Sequence, residues 1–401
     1  MCPMQSRLNV VSLQPFYGGS HRAFIDGWIT NSVHDWTNLT LPARHWKWRM
    51  RHAAITFAEA LTLRIKSGQQ VDLIVATDML NVAEFKSLLM CRSGRQIPVV
   101  LYFHENQFSY PSRFSEGSVQ RERDEHFGFT NFVSALAADA CWFNSNFNRS
   151  SFLAELNTRL QRWPDHPPTD SVKSLESQAT IQHPGIEQPI VDLRPYDDAR
   201  FQRAVDREPI HLVWAARWEH DKGPARLLTA LRRLKQRAVP FRVSIIGESF
   251  SQIPQEFETM QREFDSEIMR WGFQSSREQY WRALAEGDLF LSTAEHEFFG
   301  LSACESIVAG LYPLLPNRLA YPELLSLTGR SPVEPYLSAK IEQEADALVD
   351  QIVQLSELRL DHPKTWNPGR DDRDRFLAKL CWTTRSKEMD AELAALFQRL
   401  A

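Results

Sequence analysis

IHLVWAARWEHDKGPARLLTAL, residues 210–231, starts for a second time a pattern that the chain has already run through once. Its opening, Ile210–Ala216, has the length and the β-branched and aromatic character of a buried strand. A short charged loop follows, and Lys222-Gly223-Pro224 leads into a segment with helical apolar spacing. Downstream, Phe241–Ile246, Ile268–Phe273 and Asp288–Ser292 read as further strands, each followed by a helix-length segment. Upstream, Leu8–Gln14, Val71–Thr77, Pro98–Phe103 and Ala140–Asn144 read as strands, with helices over Ser20–Asn31 and Arg51–Lys66 among the segments between them. Short apolar strands alternating with helices are the pattern of parallel sheets joined by crossover helices. The restart at Ile210 therefore predicts an α/β protein of two doubly wound, Rossmann-like domains facing across a cleft. The expected division is residues 1–195, residues 196–375, and a C-terminal helix over 376–401 packing back towards the first domain. Trp163 to Thr180 reads as an irregular surface segment, and the run from Ile181 through Arg207 as a linker. His362–Arg375 reads as a break before a last helical segment, Phe376–Leu400.

Composition bounds the function classes. A chain of 401 residues with 43% hydrophobic and 24% charged residues is long enough for two cored domains. The formal charge of −4 carries no general attraction to nucleic acid, so an RNA contact must rest on a local patch. Five scattered cysteines, none in a C-x-x-C pair, speak against a zinc knuckle or a disulfide framework and for a reducing compartment. No apolar run approaches the ~18 residues of a membrane span, and the first residues lack a signal-peptide core. A cytoplasmic protein without a membrane partner is the expectation; oligomeric state is not readable.

Ligands of doubly wound sheets bind beyond the carboxyl ends of the strands, and the chemistry-bearing motifs fall there. EHEFFGLSACES, residues 295–306, follows the strand DLFLS and holds Glu297 and Glu305 eight positions apart. Phe299-Gly300-Leu301 turns the chain into the helix carrying Glu305 and offers backbone N–H groups to an anion or to sugar hydroxyls. A strand–helix junction with two solvated glutamates would share that spacing. Arg217 and Lys222 bring two cations to the carboxyl edge of the second half's first strand, where a departing diphosphate needs neutralising. Gly247, in IIGES, marks a further strand–glycine turn on that edge. Asp372-Arg373-Asp374 matches D-x-D, but in a polar loop before a helix, so no metal is expected.

In the first half, FYGGSH (16–21) follows the first strand, and Gly18-Gly19 permits close approach to a phosphate without completing a known phosphate loop. YFHENQ (102–107) ends another strand with His104, Glu105, Asn106 and Gln107 in succession. Asn144 closes a third strand in the same way. LPARHWKWRMRH (41–52) interleaves Arg44, Lys47, Arg49 and Arg51 with Trp46 and Trp48; cations could hold phosphates while an indole stacks on a base. The same run would serve as an amphipathic helix start with buried indoles.

Together these blocks resemble a known family. EHEFFGLSACES resembles the E-x7-E motif of retaining GT-B glycosyltransferases, and the Arg217 and Lys222-Gly223 spacing resembles their donor-diphosphate site. FYGGSH, LPARHWKWRMR, YFHENQ, FNSNFN (143–148) and WPDHPP (163–168) are similar to the tRNA-queuosine alpha-mannosyltransferases. The resemblance implies GDP-mannose as a co-substrate rather than a cofactor, and the cyclopentenediol of queuosine in tRNA as acceptor. It also implies retention of configuration. On that pattern His104 and Glu297 are catalytic, and Gly18, Gly19, Arg217, Lys222, Gly247, Phe299, Gly300, Leu301 and Glu305 bind the donor. His21, Arg44, Lys47, Trp48, Arg49, Glu105, Asn106, Gln107 and Asn144 are assigned to the acceptor. Another hexose, a lipid or small-molecule acceptor, or a non-catalytic RNA-binding scaffold are the alternatives that the residues leave open.

Overall fold

The structure, a computed structural model, describes residues 7–109, 118–163, 165–249, 253–328, 340–363 and 370–400, with side chains throughout except at 118–124 and 370–372. The chain forms two compact units, Met1–Gly185 with Trp382–Ala401, and Ile186–Cys381. It thus passes between them at 185/186 and at 381/382, rather than near 195 and 375.

The first unit runs β1 (Asn9–Tyr17), α1 (Gly19–Asn31), β2 (Asp35–Pro42), α2 (Trp46–Lys66), β3 (Leu73–Thr77), α3 (Val82–Ser93), β4 (Val99–Phe103), α4 (Ser118–Ala137), β5 (Ala140–Phe143), α5 (Asn146–Leu160), α6 (Thr169–Gln178) and β6 (Ala179–Ile181). Its sheet has the order β2-β1-β3-β4-β5-β6 with every pair parallel. β3 and β4 are buried at every residue, as expected of strands covered on both faces. One face packs Val11, Leu13, Ile74 and Leu101 under α2, α3 and α5. The other packs Val10, Val75, Val100 and Tyr102 under α1. Side-chain caps start two of the helices: Asn81 accepts from the Glu84 amide and Ser145 from the Asn148 amide.

The second unit runs α7 (Arg194–Val205), β7 (Ile210–Ala215), α8 (Pro224–Gln236), β8 (Phe241–Ile246), α9 (Gln255–Glu263), β9 (Ile268–Gly272), α10 (Arg277–Ala285), β10 (Leu289–Leu291), α11 (Leu301–Val308), β11 (Tyr312–Leu314), α12 (Tyr321–Thr328), α13 (Ile341–Asp361) and α14 (Arg370–Leu380). Its parallel sheet has the order β11-β10-β7-β8-β9. Strand order reverses between β7 and β10 here and between β1 and β3 in the first unit, and such switch points are where doubly wound sheets place their ligands.

Several segments depart from the sequence reading for one physical reason: too little apolar side chain to set a period. β2 is an edge strand in which only Leu39 is buried, so DWTNLTLP lacks an apolar run. The expected irregular segment holds α6, anchored by Val172 and Leu175, and the short β6. The expected linker holds α7, whose buried residues are Arg200 and Ala204. The segment before the last helix is itself helical over α14, so Arg373 of the D-x-D match sits on a helix, paired with Asp197 at 3.0 Å. Pro164 of WPDHPP lies outside the described residues.

The chain ends in α15 (Trp382–Leu400), which belongs to the first unit and packs Trp382, Met389 and Leu393 into the core beneath α1. Asp390 fixes its register. That buried carboxylate accepts from Trp28 Nε1 at 2.8 Å, the Ser32 hydroxyl at 2.9 Å and the Val33 amide at 2.8 Å. Removing it leaves a buried indole N–H and a main-chain amide without an acceptor, at a cost of roughly 1–3 kcal/mol for each group. Asp390→Ala is therefore expected to destabilise the first unit by about 3 kcal/mol, measured by urea unfolding followed by near-UV circular dichroism. An unchanged transition would show that α15 is held by its apolar face alone.

Candidate active site

In the second unit the switch point brings together the loops after β7 and β10. Lys222 is 8% exposed, and its ammonium donates to the His296 carbonyl at 2.8 Å and approaches Asp221 Oδ2 at 3.1 Å and Glu297 Oε2 at 3.4 Å. Burial alone would lower the Lys222 pKa, but the Glu297 and Asp221 carboxylates outweigh it and hold the group above its ordinary value. The Glu297 carboxylate is correspondingly kept below its ordinary range: burial opposes ionisation, while the Lys222 charge and the Phe299 amide favour it. Glu297 Oε1 lies 3.2 Å from the Gly300 amide and 3.4 Å from that of Phe299. Gly300 adopts φ 94°, ψ 54°, a left-handed turn that a side chain disfavours, and it leads the chain directly into α11.

The main chain carrying Glu297 is held along its length. The Glu295 and His296 amides donate to the Asp221 carbonyl. The Thr293 hydroxyl donates to the Lys222 carbonyl and accepts from Trp214 Nε1. Arg318 donates to the Ala294 carbonyl and forms a two-pronged pair with buried Glu344, which Arg226 also binds. Glu305, on the second turn of α11, receives Arg277 on Oε1 and the Tyr280 hydroxyl on Oε2, each at 2.7 Å. Arg217 stands after β7, half-exposed, 3.2 Å from Glu219. Gly247 follows β8 with its amide on the Gly272 carbonyl. A small cavity beside Lys222 and Glu297 is lined also by Ala216, Ser292, Ser302 and Tyr321.

Phe299 and Leu301 do not present side chains there. The Phe299 ring is in the core and Leu301 packs against that core, so only their main chain is available. Arg277, Tyr280, Ser302 and Tyr321 were not legible from motif spacing. Arg277 and Tyr280 reach Glu305 from a separate amphipathic helix, with no local pattern to mark them.

The first unit's carboxyl edge gathers a second cluster. The His21 and His104 rings lie 4.1 Å apart by centroid, with Phe24 edge-on to His104 at 4.9 Å. Burial, and secondarily His21, hold the His104 pKa well below its ordinary value, so the ring is neutral at pH 7. Its Nε2 is buried and has no hydrogen-bond partner. Asp78, the first residue after β3, is fully buried, and burial together with the Glu105 charge drives its pKa well up. It accepts the His104 amide on Oδ1. Asp78 was missed, although a polar residue directly after the apolar strand LIVAT is the signal that singled out His104.

Three acceptor-side assignments are corrected. Asn106 is fully buried, donating to Asn148 Oδ1 and accepting the Ser109 amide. Asn144 donates to the His104 carbonyl at 2.7 Å and accepts from Asn148. Arg49 is 9% exposed, with Nε on the Pro42 carbonyl and Nη1 against His52. All three shape the edge from inside. Gln107 donates to Glu105 at 2.9 Å, and both remain partly exposed. Gly18 and Gly19 form the β1–α1 turn: Gly19 has φ 51°, and a Cβ on Gly18 would stand 2.4 Å from that of Ala43. Arg44 and Trp48 are exposed, and the Lys47 ammonium lies over the Trp46 ring. No helix among the described residues is long and apolar enough to cross a membrane.

Comparisons with known proteins agree with this division. Residues 9–186 match the family model for the tRNA-queuosine alpha-mannosyltransferase N-terminal region, and residues 196–367 match that for glycosyl transferases group 1. The tRNA-queuosine alpha-mannosyltransferase of Drosophila melanogaster is 36% identical over 384 residues, covering 92% of this chain and 93% of its own. Among solved structures, the sucrose-phosphate synthase of Thermosynechococcus elongatus aligns with TM-score 0.68 at 15% identity, over 98% of this chain and all of its own. A glycosyltransferase from Rickettsia africae aligns with TM-score 0.65 at 15% identity, over 99% of this chain and 100% of its own. The fold is GT-B.

The geometry around Lys222 makes a pH prediction. Burial, then the Lys222 charge, push the neighbouring His296 down to about 4. Folding favours its neutral ring. Below the unfolded value of about 6.5 the unfolded chain takes up a proton that the folded chain refuses, so stability falls as pH drops towards the folded value. Between pH 7 and pH 5 this contributes about 2 kcal/mol of lost stability. His296→Gln is expected to remove that share of the slope in urea unfolding at the two pH values; an unaltered slope would place the titration elsewhere.

Proposed function

The chain belongs to the tRNA-queuosine alpha-mannosyltransferase family, and we propose that it moves mannose from GDP-mannose to the cyclopentenediol of queuosine in tRNA, with retention of configuration. The observation that carries this reading is the Lys222–Glu297 pair, intact at the second unit's switch point in a chain whose two halves match the two family models.

In this reading the bond between mannose C1 and the β-phosphate oxygen breaks, and a bond between C1 and an acceptor oxygen forms. The acceptor hydroxyl's proton passes to a phosphate oxygen of the departing GDP. The half-exposed Arg217 guanidinium stabilises the charge that develops on that diphosphate. Lys222 acts differently from Arg217: its ammonium points at three protein oxygens, so it fixes Glu297 as a charged acceptor and adds positive potential to the pocket. Glu297 accepts from hydroxyls of the mannose as the ring flattens towards an oxocarbenium ion. Glu305, held by Arg277 and Tyr280, accepts from the ribose diol. In the first unit, the edge around the neutral His104 imidazole receives the acceptor.

The direct test incubates the full chain with GDP-mannose and queuosine-containing tRNA, followed by mass spectrometry of the digested nucleosides. A queuosine species heavier by one hexose is expected. Sugar-nucleotide hydrolysis without that product would point to another acceptor. Glu297→Gln is expected to lower kcat by about 100-fold or more with little change in GDP affinity. Arg217→Ala is expected to weaken GDP binding roughly tenfold by calorimetry. Wild-type turnover in folded Glu297→Gln would remove the carboxylate from the mechanism.

A further inference from the structure

We propose that Trp48 is a stacking platform for an unpaired base of the RNA acceptor, flanked by Arg44, Lys47 and Arg51 as phosphate contacts. This rests on the reading that the acceptor is RNA, and it names the surface and the mode of contact.

The first observation is position. Ala43, just before α2, packs on Gly18 of the β1–α1 turn. Within the first turns of α2, Trp46 and Met50 pack with Met79, Phe127 and Phe16; Met79 directly follows Asp78. The start of α2 therefore sits on the carboxyl edge that carries His21, His104 and Asp78. It is not on a remote flank of the unit.

The second is the division of labour between two neighbouring indoles. Trp46 is turned in, 5.1 Å by centroid from Phe127, with the Lys47 ammonium over its ring. Trp48 is turned out and is 61% exposed, with the His52 ring beside it at 5.1 Å and tilted by 33°. A lone exposed aromatic needs no explanation in itself. This one stands on a stretch of chain that carries charge of one sign. Between Asp35 and Glu59 the chain holds no acidic residue but carries Arg44, His45, Lys47, Arg49, Arg51 and His52. Of these, Arg49 faces inward. Arg51 is exposed, lying over the Phe127 ring and bonded to His126, and Arg44 is exposed at the loop before the helix.

The third is the chemistry of the occupant. A presented indole among cations matches a nucleic acid that offers a base face and phosphates together. Duplex bases have their faces covered by their neighbours, so the partner is the single-stranded loop of a folded RNA.

The test uses the full chain with three probes: a tRNA transcript, its anticodon stem-loop, and a blunt RNA duplex of the stem-loop's length. Trp48→Ala is expected to weaken stem-loop and tRNA binding about tenfold, leave duplex binding and GDP affinity unchanged, and leave the salt dependence unaltered. Trp48→Phe should restore most of the loss. Arg44→Ala and Arg51→Ala should each lower the slope of log K against log salt by about 0.7–0.9. Equal loss for stem-loop and duplex, or stem-loop binding of Trp48→Ala equal to wild type, overturns the platform. If wild-type chain still mannosylates tRNA in that case, only the platform falls; if wild type binds no RNA, the acceptor reading falls with it.

Discussion

An ammonium group buried beneath the β7 and β10 loops is the constraint around which the second unit's site is arranged. Taking a lysine charge out of water is costly unless oxygens replace its hydration shell. Lys222 finds them in the His296 carbonyl, Asp221 and Glu297. Those partners lie on the two strand ends that flank the switch point, so satisfying one charge fixes the spacing of both loops. Glu297 is thereby held as an ionised acceptor. A preorganised group of this kind needs no reorganisation when charge develops during reaction.

The same logic extends outward. Arg318 takes a main-chain carbonyl of the β10 loop and is anchored to Glu344, a buried carboxylate shared with Arg226. Arg277 and Tyr280 do the equivalent for Glu305. Exposed carboxylates are flexible and strongly hydrated on their own. Here Glu305 has both oxygens held from α10, and the loop before Glu297 is held by Arg318, which restricts the lone pairs that each leaves open. The first unit solves its edge with amides instead: Asn131 donates to the Asp78 carbonyl, and Asn106, Asn144 and Asn148 bond one another and the main chain. Neutral amides stiffen the loops without adding charge near the neutral His104.

Much of this architecture could be read from the chain, because buried parallel strands announce themselves as apolar runs. Val99–Phe103 and Ile210–Ala215 were found with boundaries shifted by a residue or less. β2, α6 and α7 were not, since an edge strand and two lightly anchored helices bury too few apolar side chains to show a period. At the site, residues on the loops that follow a strand are legible: Arg217, Lys222, Glu297 and His104. Tyr280 and Arg277 were not, because their role depends on strand order, and nothing local in α10 reports which loop it will face. Direction was the other hidden quantity. Arg49 and Arg51 are two positions apart in one basic run, yet helical geometry sends one into the protein and the other out.

That last distinction bears on what the family blocks in the first unit mean. FNSNFN and YFHENQ look, as strings, like rows of substrate ligands. In the structure Asn106, Asn144 and Asn148 are internal braces, and of the residues in these blocks assigned to the acceptor, Glu105 and Gln107 keep some exposure. A nucleoside acceptor would therefore meet few direct polar contacts from these blocks. For a chain with a net charge of −4, affinity for a large polyanion has to come from a local surface, since the average field repels it. The start of α2 meets that requirement on the same edge. It keeps Trp46 and Arg49 inward and Arg44, Arg51 and one indole outward, so the loop that fixes the helix on Gly18 also fixes where the positive charge stands.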